Sequence, residues 1–190
     1  MLENVIAEMN AYALNVISKA KSNLQKNNNS GELQNSLDYK VDNSDKTNPI
    51  LKFKALQYGE FLDKGVQGAD PNAMPKGSLA RYNKAPSSPY KFGSGNFAGK
   101  GSLRGSIDKW VVSKGIPNVR DEKGRFIKRK TMVYLISRSI YNTGLRATNF
   151  FTDAQKDYSR DINKKLTKAY LKDISKDLKE GLVSKGGKIK

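Results

Sequence analysis

Apolar residues at the start of the chain recur at steps of three and four: Leu2, Val5, Ile6, Met9, Ala13, Val16, Ile17, Ala20 and Leu24. That spacing predicts an amphipathic helix over 2–26, with one face turned toward a core. Lys19, Lys21 and Lys26 fall near its end, where cations suit the helix dipole. The run Asn27, Asn28, Asn29, Ser30, Gly31 stops it. The period then drops to two. Leu37, Tyr39 and Val41 share a face of a strand over 37–41. Leu51, Phe53 and Ala55 alternate with Lys52 and Lys54 in a second strand over 50–58. A turn rich in Asn, Asp and Ser joins them, so the two pair as an antiparallel hairpin. Two strands alone are marginal in water, and other elements must cover the apolar face.

Periodicity vanishes over 66–102, where Pro71, Pro75, Pro86 and Pro89 stand among many glycines. This is a long irregular loop by composition. Its aromatics Tyr82, Tyr90, Phe92 and Phe97 predict that it docks on something, and we expect it to order only on assembly. Leu103, Ile107, Trp110 and Val111 then predict a short helix with those side chains inward and Ser102 as its cap. Residues 119–127 read as a small hairpin with Lys123 and Gly124 at the tip. Met132, Val133, Leu135, Ile136 and Ile140 predict a helix over 132–141. The last helix is expected over 153–182, with Thr152 as N-cap. Tyr158, Ile162, Leu166 and Ala169 form one apolar stripe on it, and Leu171, Ile174, Leu178 and Leu182 form a second, rotated one. A stripe that moves predicts two partners: the near half meets its own domain, the far half a neighbouring subunit. The expected architecture is α+β, with an N-terminal amphipathic helix, a small antiparallel sheet, a long loop and a long C-terminal helix. One domain spans 1–183, and 184–190 form a basic, frayed tail.

Composition narrows the chemistry. The chain of 190 residues has no cysteine and no histidine, which removes disulfides, thiolate metal sites and every Ser-His or Cys-His arrangement. The net charge is +17, unevenly spread. Residues 1–99 hold 12 basic and 9 acidic side chains, whereas 100–190 hold 23 basic and 9 acidic. Such a field favours a polyanionic neighbour. Only eight of the cations are arginine, so base-specific readout is not suggested. The Arg125, Lys128, Arg129, Lys130 cluster is the best polyanion patch, because the lysines of the last helix are interleaved with carboxylates and read as a solvated face. No apolar run reaches the roughly 20 residues a bilayer span needs. The opening Met1-Leu2-Glu3-Asn4 lacks a basic n-region, so a cytoplasmic product with no membrane partner is expected.

Three motifs fail on inspection. Gly99-Lys100-Gly101-Ser102 lacks the early glycine and the hydroxyl residue directly after lysine that a phosphate loop requires. Asp153, Asp157 and Asp161 share one helix edge, which offers too few convergent oxygens for a metal. Glu60 and Asp63 form a carboxylate pair with Lys64 beside them, and read as structural. No catalytic residue, cofactor site or metal site is predicted, and an enzyme is not expected.

Three segments stand out in this order of elements: Gly31-Glu32-Leu33-Gln34-Asn35-Ser36 before the first strand, the aromatic-rich run from Tyr58 to Gly65, and the glycine-containing turn from Ile140 to Phe151. With them the chain resembles the tail-completion or head–tail joining (neck) proteins of tailed bacteriophages. Gly31 to Ser36 matches that family's step into a strand. Tyr58-Gly59-Glu60-Phe61-Leu62-Asp63-Lys64-Gly65 matches its aromatic-rich turn ending in glycine. Ile140 through Phe151, with Gly144-Leu145-Arg146-Ala147-Thr148-Asn149-Phe150-Phe151, matches its closing turn. The pieces cover roughly half the chain. Val66-Gln67 stands where the family often has threonine, and the closing turn lacks the usual proline. The resemblance implies a non-enzymatic, homo-oligomeric ring subunit in the virion, made in the host cytoplasm. It would sit between portal or adaptor and tail, with DNA passing through its lumen. Tyr58, Gly59, Phe61, Gly65, Gly144, Arg146, Phe150 and Phe151 are then the expected structural joint. Tyr82, Tyr90, Phe92, Phe97, Leu171, Ile174, Leu178 and Leu182 are the expected inter-subunit residues. The alternative is a non-specific nucleic-acid-binding protein using the basic C-terminal half.

Overall fold

The computed structural model describes residues 2–25, 31–70, 72, 82–93, 102–117 and 119–184. The fold is α+β. In chain order it runs α1 (Glu3–Gln25), α2 (Glu32–Ser36), β1 (Asp38–Asp42), β2 (Ile50–Lys54), α3 (Tyr58–Lys64), β3 (Val66–Gln67), α4 (Leu103–Ser113), α5 (Arg129–Thr143), β4 (Gly144–Leu145) and α6 (Phe150–Ser184). The chain divides into two compact units. One comprises Met1–Gly59 with Asn149–Lys190, the other Glu60–Thr148.

The first unit is built on α1 packed against α6. Ala13, Val16, Ile17, Ala20 and Leu24 of α1 are buried, as the three-four spacing predicts. Alanines at positions 13, 20, 154 and 169 are almost fully buried, so no bulky side chain holds the backbone off there. At the other end Leu2 and Val5 pack with Ala169, flanked by Met9 and Leu166. Antiparallel β1 and β2 pair from Asp38↔Lys54 to Asp42↔Ile50. Phe53 fastens this hairpin to both helices: its ring meets Tyr12 edge-on at 6.4 Å and Phe151 at 5.1 Å. That is the covering the isolated hairpin lacked.

Three local expectations change here. The second strand stops at Lys54 rather than 58, and Tyr58–Lys64 is a helix instead of a strand end. Tyr58, Phe61 and Leu62 stand at i, i+3 and i+4, a helical spacing that overrides the alternation before it. Thr152 does not cap α6, which starts two residues earlier at Phe150. The turn into it is made by Asn149 at φ +51, a left-handed conformation that asparagine tolerates. Asn149 also supplies the carbonyl that accepts from the Asp153 N–H at 2.8 Å.

In the second unit α4 packs on α5 through Val111, Met132 and Val133, with Ile107, Ile116, Ile127 and Ile136 around them. Ser102 caps α4 as predicted, its hydroxyl accepting from the Gly105 N–H at 3.3 Å. Trp110, expected inward with Val111, is 40% exposed. Of the two, only Val111 takes the core side, because a helix step of one residue turns the side chain well away. Antiparallel β3 and β4 pair Val66 with Leu145 and Gln67 with Gly144.

Candidate functional site

In the second unit the chain after α3 crosses the chain after α5. Three strands of backbone meet there. Beyond the β3–β4 pairing, Gln67 N–H donates to the Tyr90 carbonyl at 2.7 Å and Phe92 N–H to the Gln67 carbonyl at 2.9 Å. Lys84 N–H donates to Thr143 at 2.7 Å, and Ala69 N–H to Tyr141 at 2.9 Å. Thr148 closes the far side, its N–H and hydroxyl both donating to the Leu62 carbonyl at 3.0 and 2.8 Å.

Glycine permits this approach. A Cβ on Gly144 would lie 2.2 Å from the Val66 carbonyl oxygen, and one on Gly65 would lie 2.6 Å from that of Leu145. Both residues also hold positive φ, +88° and +72°. Gly68 is tighter still, with a Cβ position 1.9 Å from the Asn142 carbonyl oxygen. No sequence feature singled out Gly68. Its only signal was a glycine three residues beyond the expected joint.

The eight expected joint residues divide between two places. Phe61, Gly65, Gly144 and Arg146 belong to the second unit, where Arg146 is exposed. Tyr58, Gly59, Phe150 and Phe151 belong to the first. There a Cβ on Gly59 would meet Leu33, and Phe150 and Phe151 pack ring to ring beside Phe53. Burial and the nearby Glu32 carboxylate both push the Tyr58 hydroxyl upward from its ordinary value.

Two of the loop aromatics expected between subunits pack within the chain. Tyr90 meets Phe61 edge-on at 4.6 Å, and Phe92 lies 5.7 Å from Tyr141. The Tyr90 hydroxyl hydrogen-bonds Glu60, which raises its pKa. Glu60 is also held by Lys64 at 2.8 Å, the main reason its carboxyl sits below the usual range. Ser88 donates its hydroxyl to the Gly65 carbonyl at 2.7 Å. Residues 82–93 thus pack against this chain's own Phe61, Gly65, Gln67 and Tyr141. Tyr82 remains 50% exposed, and Phe97 lies outside the described residues. Tyr90→Ala should therefore release 82–93, with severalfold faster cleavage there in limited proteolysis of the full chain. Unchanged cleavage would show that the backbone bonds suffice.

The far stripe of α6 is exposed: Leu171, Ile174, Leu178 and Leu182 are 58%, 38%, 63% and 57% accessible. Asp173, set among them and expected on a solvated face, is instead fully buried. Its carboxylate accepts from the backbone N–H groups of Asn4 at 3.1 Å and Val5 at 3.0 Å, and from the Asn4 side-chain amide at 2.6 Å. It is the N-terminal cap of α1, supplied from the opposite end of the chain. Lys176 adds an ion pair to Glu3 at 2.8 Å.

Of the four expected polyanion contacts, two are engaged. Arg125 pairs with Asp121 at 2.9 Å and Arg129 with Asp108 at 3.1 Å, whereas Lys128 and Lys130 are exposed with no carboxylate partner among the described residues. Glu60 and Asp63 do not form a matched pair: Glu60 is exposed and bound to Lys64, whereas Asp63 is buried. Among the described residues no three acidic side chains gather to hold a metal ion, and no helix is long and apolar enough to cross a membrane. The glycines of the Gly99-Lys100-Gly101 run lie outside the described residues. No family model, curated protein or solved structure matches the chain.

Proposed function

We propose that this protein is a structural ring subunit of the head–tail connector, or neck, of a tailed bacteriophage, joining portal or adaptor to tail around the DNA channel. The observation that carries the reading is the crossed joint. Two of the three segments that carry the resemblance come together at Phe61–Gly65 and Gly144–Thr148, and the glycines are required there by backbone contact. A packed joint of this kind supports a construction part, because it holds its shape through backbone contacts. The exposed stripe Leu171, Ile174, Leu178 and Leu182 supports a subunit-facing role, because a ring needs a surface that meets a different surface of the next copy.

The test is the mass of the purified protein by light scattering at low and high salt, alone and with portal-containing particles. One closed oligomer, or capture by the particles, is expected. Leu178→Asp with Leu182→Asp should abolish it while leaving the monomer folded, since both residues are solvent-exposed. A monomer that ignores the particles under every condition overturns the reading.

A further inference from the structure

Positive charge is concentrated on the hairpin over 119–127 and the three residues after it. Residues 119–130 hold six cations against two carboxylates, whereas the 35 residues of α6 hold eight against six. The hairpin is built, not frayed. Arg120 bridges Phe126 across it, and Ile127 N–H donates to Val119 at 2.8 Å. At the tip, one Asp121 oxygen accepts the Lys123 and Arg125 N–H groups at 3.0 and 2.8 Å, and the other takes the Arg125 side chain at 3.0 Å. Those bonds, the Arg125 N–H first, hold the Asp121 carboxyl below its ordinary range, so the tip keeps its form at neutral pH. Ile127 roots the hairpin in the α4–α5 core.

With Arg125 and Arg129 paired, the open charges are Lys123, Lys128 and Lys130. The Arg120 guanidinium lies over the Phe126 ring, 4.3 Å from its centroid, and Phe126 itself is 64% exposed. The chain then places Lys128, Arg129 and Lys130 at the start of α5, with no acidic residue in the first turn and no side-chain cap. Cations there oppose the helix dipole. The arrangement gives up local stability and leaves uncompensated positive charge, which an anion laid across it would relieve.

We infer that this hairpin and the start of α5 form a finger that binds the phosphate backbone of a nucleic-acid duplex, without reading sequence. Lysines are the free charges, and lysine suits diffuse phosphate contact. Protein interfaces are depleted in lysine, which argues against an acidic protein as the occupant. One exposed aromatic on the hairpin, already engaged by Arg120, is too little stacking surface for a single strand. The inference does not depend on ring formation, since every group in it belongs to one chain.

The test is anisotropy of a short labelled DNA duplex of mixed sequence, titrated with the isolated full chain at stepped salt. Weak binding that falls linearly on a log–log salt plot is expected, with a slope of about −0.9 per phosphate neutralised. Changing Lys123, Lys128 and Lys130 together to Gln should weaken it roughly tenfold or more and reduce the slope by about 2–3. The matched control, Lys164→Gln, Lys165→Gln and Lys168→Gln on α6, should leave both in place. Equal losses in the two triple variants, no loss in the first, tighter binding of a single strand, or polyglutamate displacing the duplex at equal charge would each overturn the assignment. The oligomer mass is read separately, so failure of the ring and failure of the finger are distinct results.

Discussion

Gly68→Ala is expected to unfold the second unit. The new methyl would sit 1.9 Å from the Asn142 carbonyl oxygen and 2.5 Å from its carbon, and both are backbone atoms that no rotamer change can remove. Relief requires pushing 66–68 away from 142–144. That breaks the β3–β4 pairing and the Ala69 and Lys84 hydrogen bonds together. The loss should be about 3 kcal/mol or more, at the upper end of single-site effects. Gly144→Ala should be comparable, because its clash at 2.2 Å is joined by φ +88°. Gly93→Ala is the contrast: its Cβ position meets nothing within 4 Å, and stability should stay within about 0.5 kcal/mol. The one tryptophan, Trp110, is in the second unit and reports its unfolding in urea by fluorescence. An unchanged midpoint in Gly68→Ala would mean that the crossing is not held as tightly as this geometry requires.

The second large effect is expected at Asp173. Removing its carboxylate in Asp173→Ala strips the cap from α1, leaving the Asn4 and Val5 N–H groups without their partner in a site closed to water. The cost should be about 2 kcal/mol, combining a lost helix cap with stranded donors. Asp173→Asn should recover little of it, because its amide turns a second donor toward donors. The pH dependence follows from the direction of the carboxyl shift. Burial alone would push its pKa up, but the Val5 and Asn4 donors outweigh burial and hold it below the ordinary 3.8. A carboxyl depressed in the folded state stabilises fully above its unfolded value, and that stabilisation is lost as pH falls through the lower folded value. The stability gap between the wild type and Asp173→Ala should therefore be flat from about pH 5 to 8 and close below about pH 4. Far-UV circular dichroism during urea unfolding at each pH reads it. A gap that persists undiminished in acid would show that the carboxylate charge contributes nothing to the cap.

Both positions show where sequence reading stops. Asp173 stands in a helix where carboxylates and lysines alternate, and its spacing matches that of a solvated ion-pairing residue such as Asp177. Only the arrival of residues 4 and 5, far away in the chain, makes it a cap. Gly68 carries no more local signal than Gly93, yet one meets backbone and the other open space. Arg129 finds Asp108 across two helices, so its pairing is equally hidden, and the cluster lost a free cation that composition had counted. Other differences were legible. The i, i+3, i+4 set Tyr58, Phe61, Leu62 is helical, and the alternation of the preceding strand was carried too far into it.

The sequence by itself determined the kind of each long element and which face it turns inward. The α1 stripe, the Phe53 hairpin and the two stripes of α6 all follow from a period of 3.6 or 2, which nearest neighbours enforce through the backbone. It also determined that charge concentrates after residue 100. Tertiary structure alone decided which glycines touch backbone, which carboxylate is buried and which cations stay free. Those properties arise from close approach between residues distant in sequence. At 2–3 Å, a carbonyl, an amide or a carboxylate acts on whatever the fold brings beside it, and no local pattern records that neighbour.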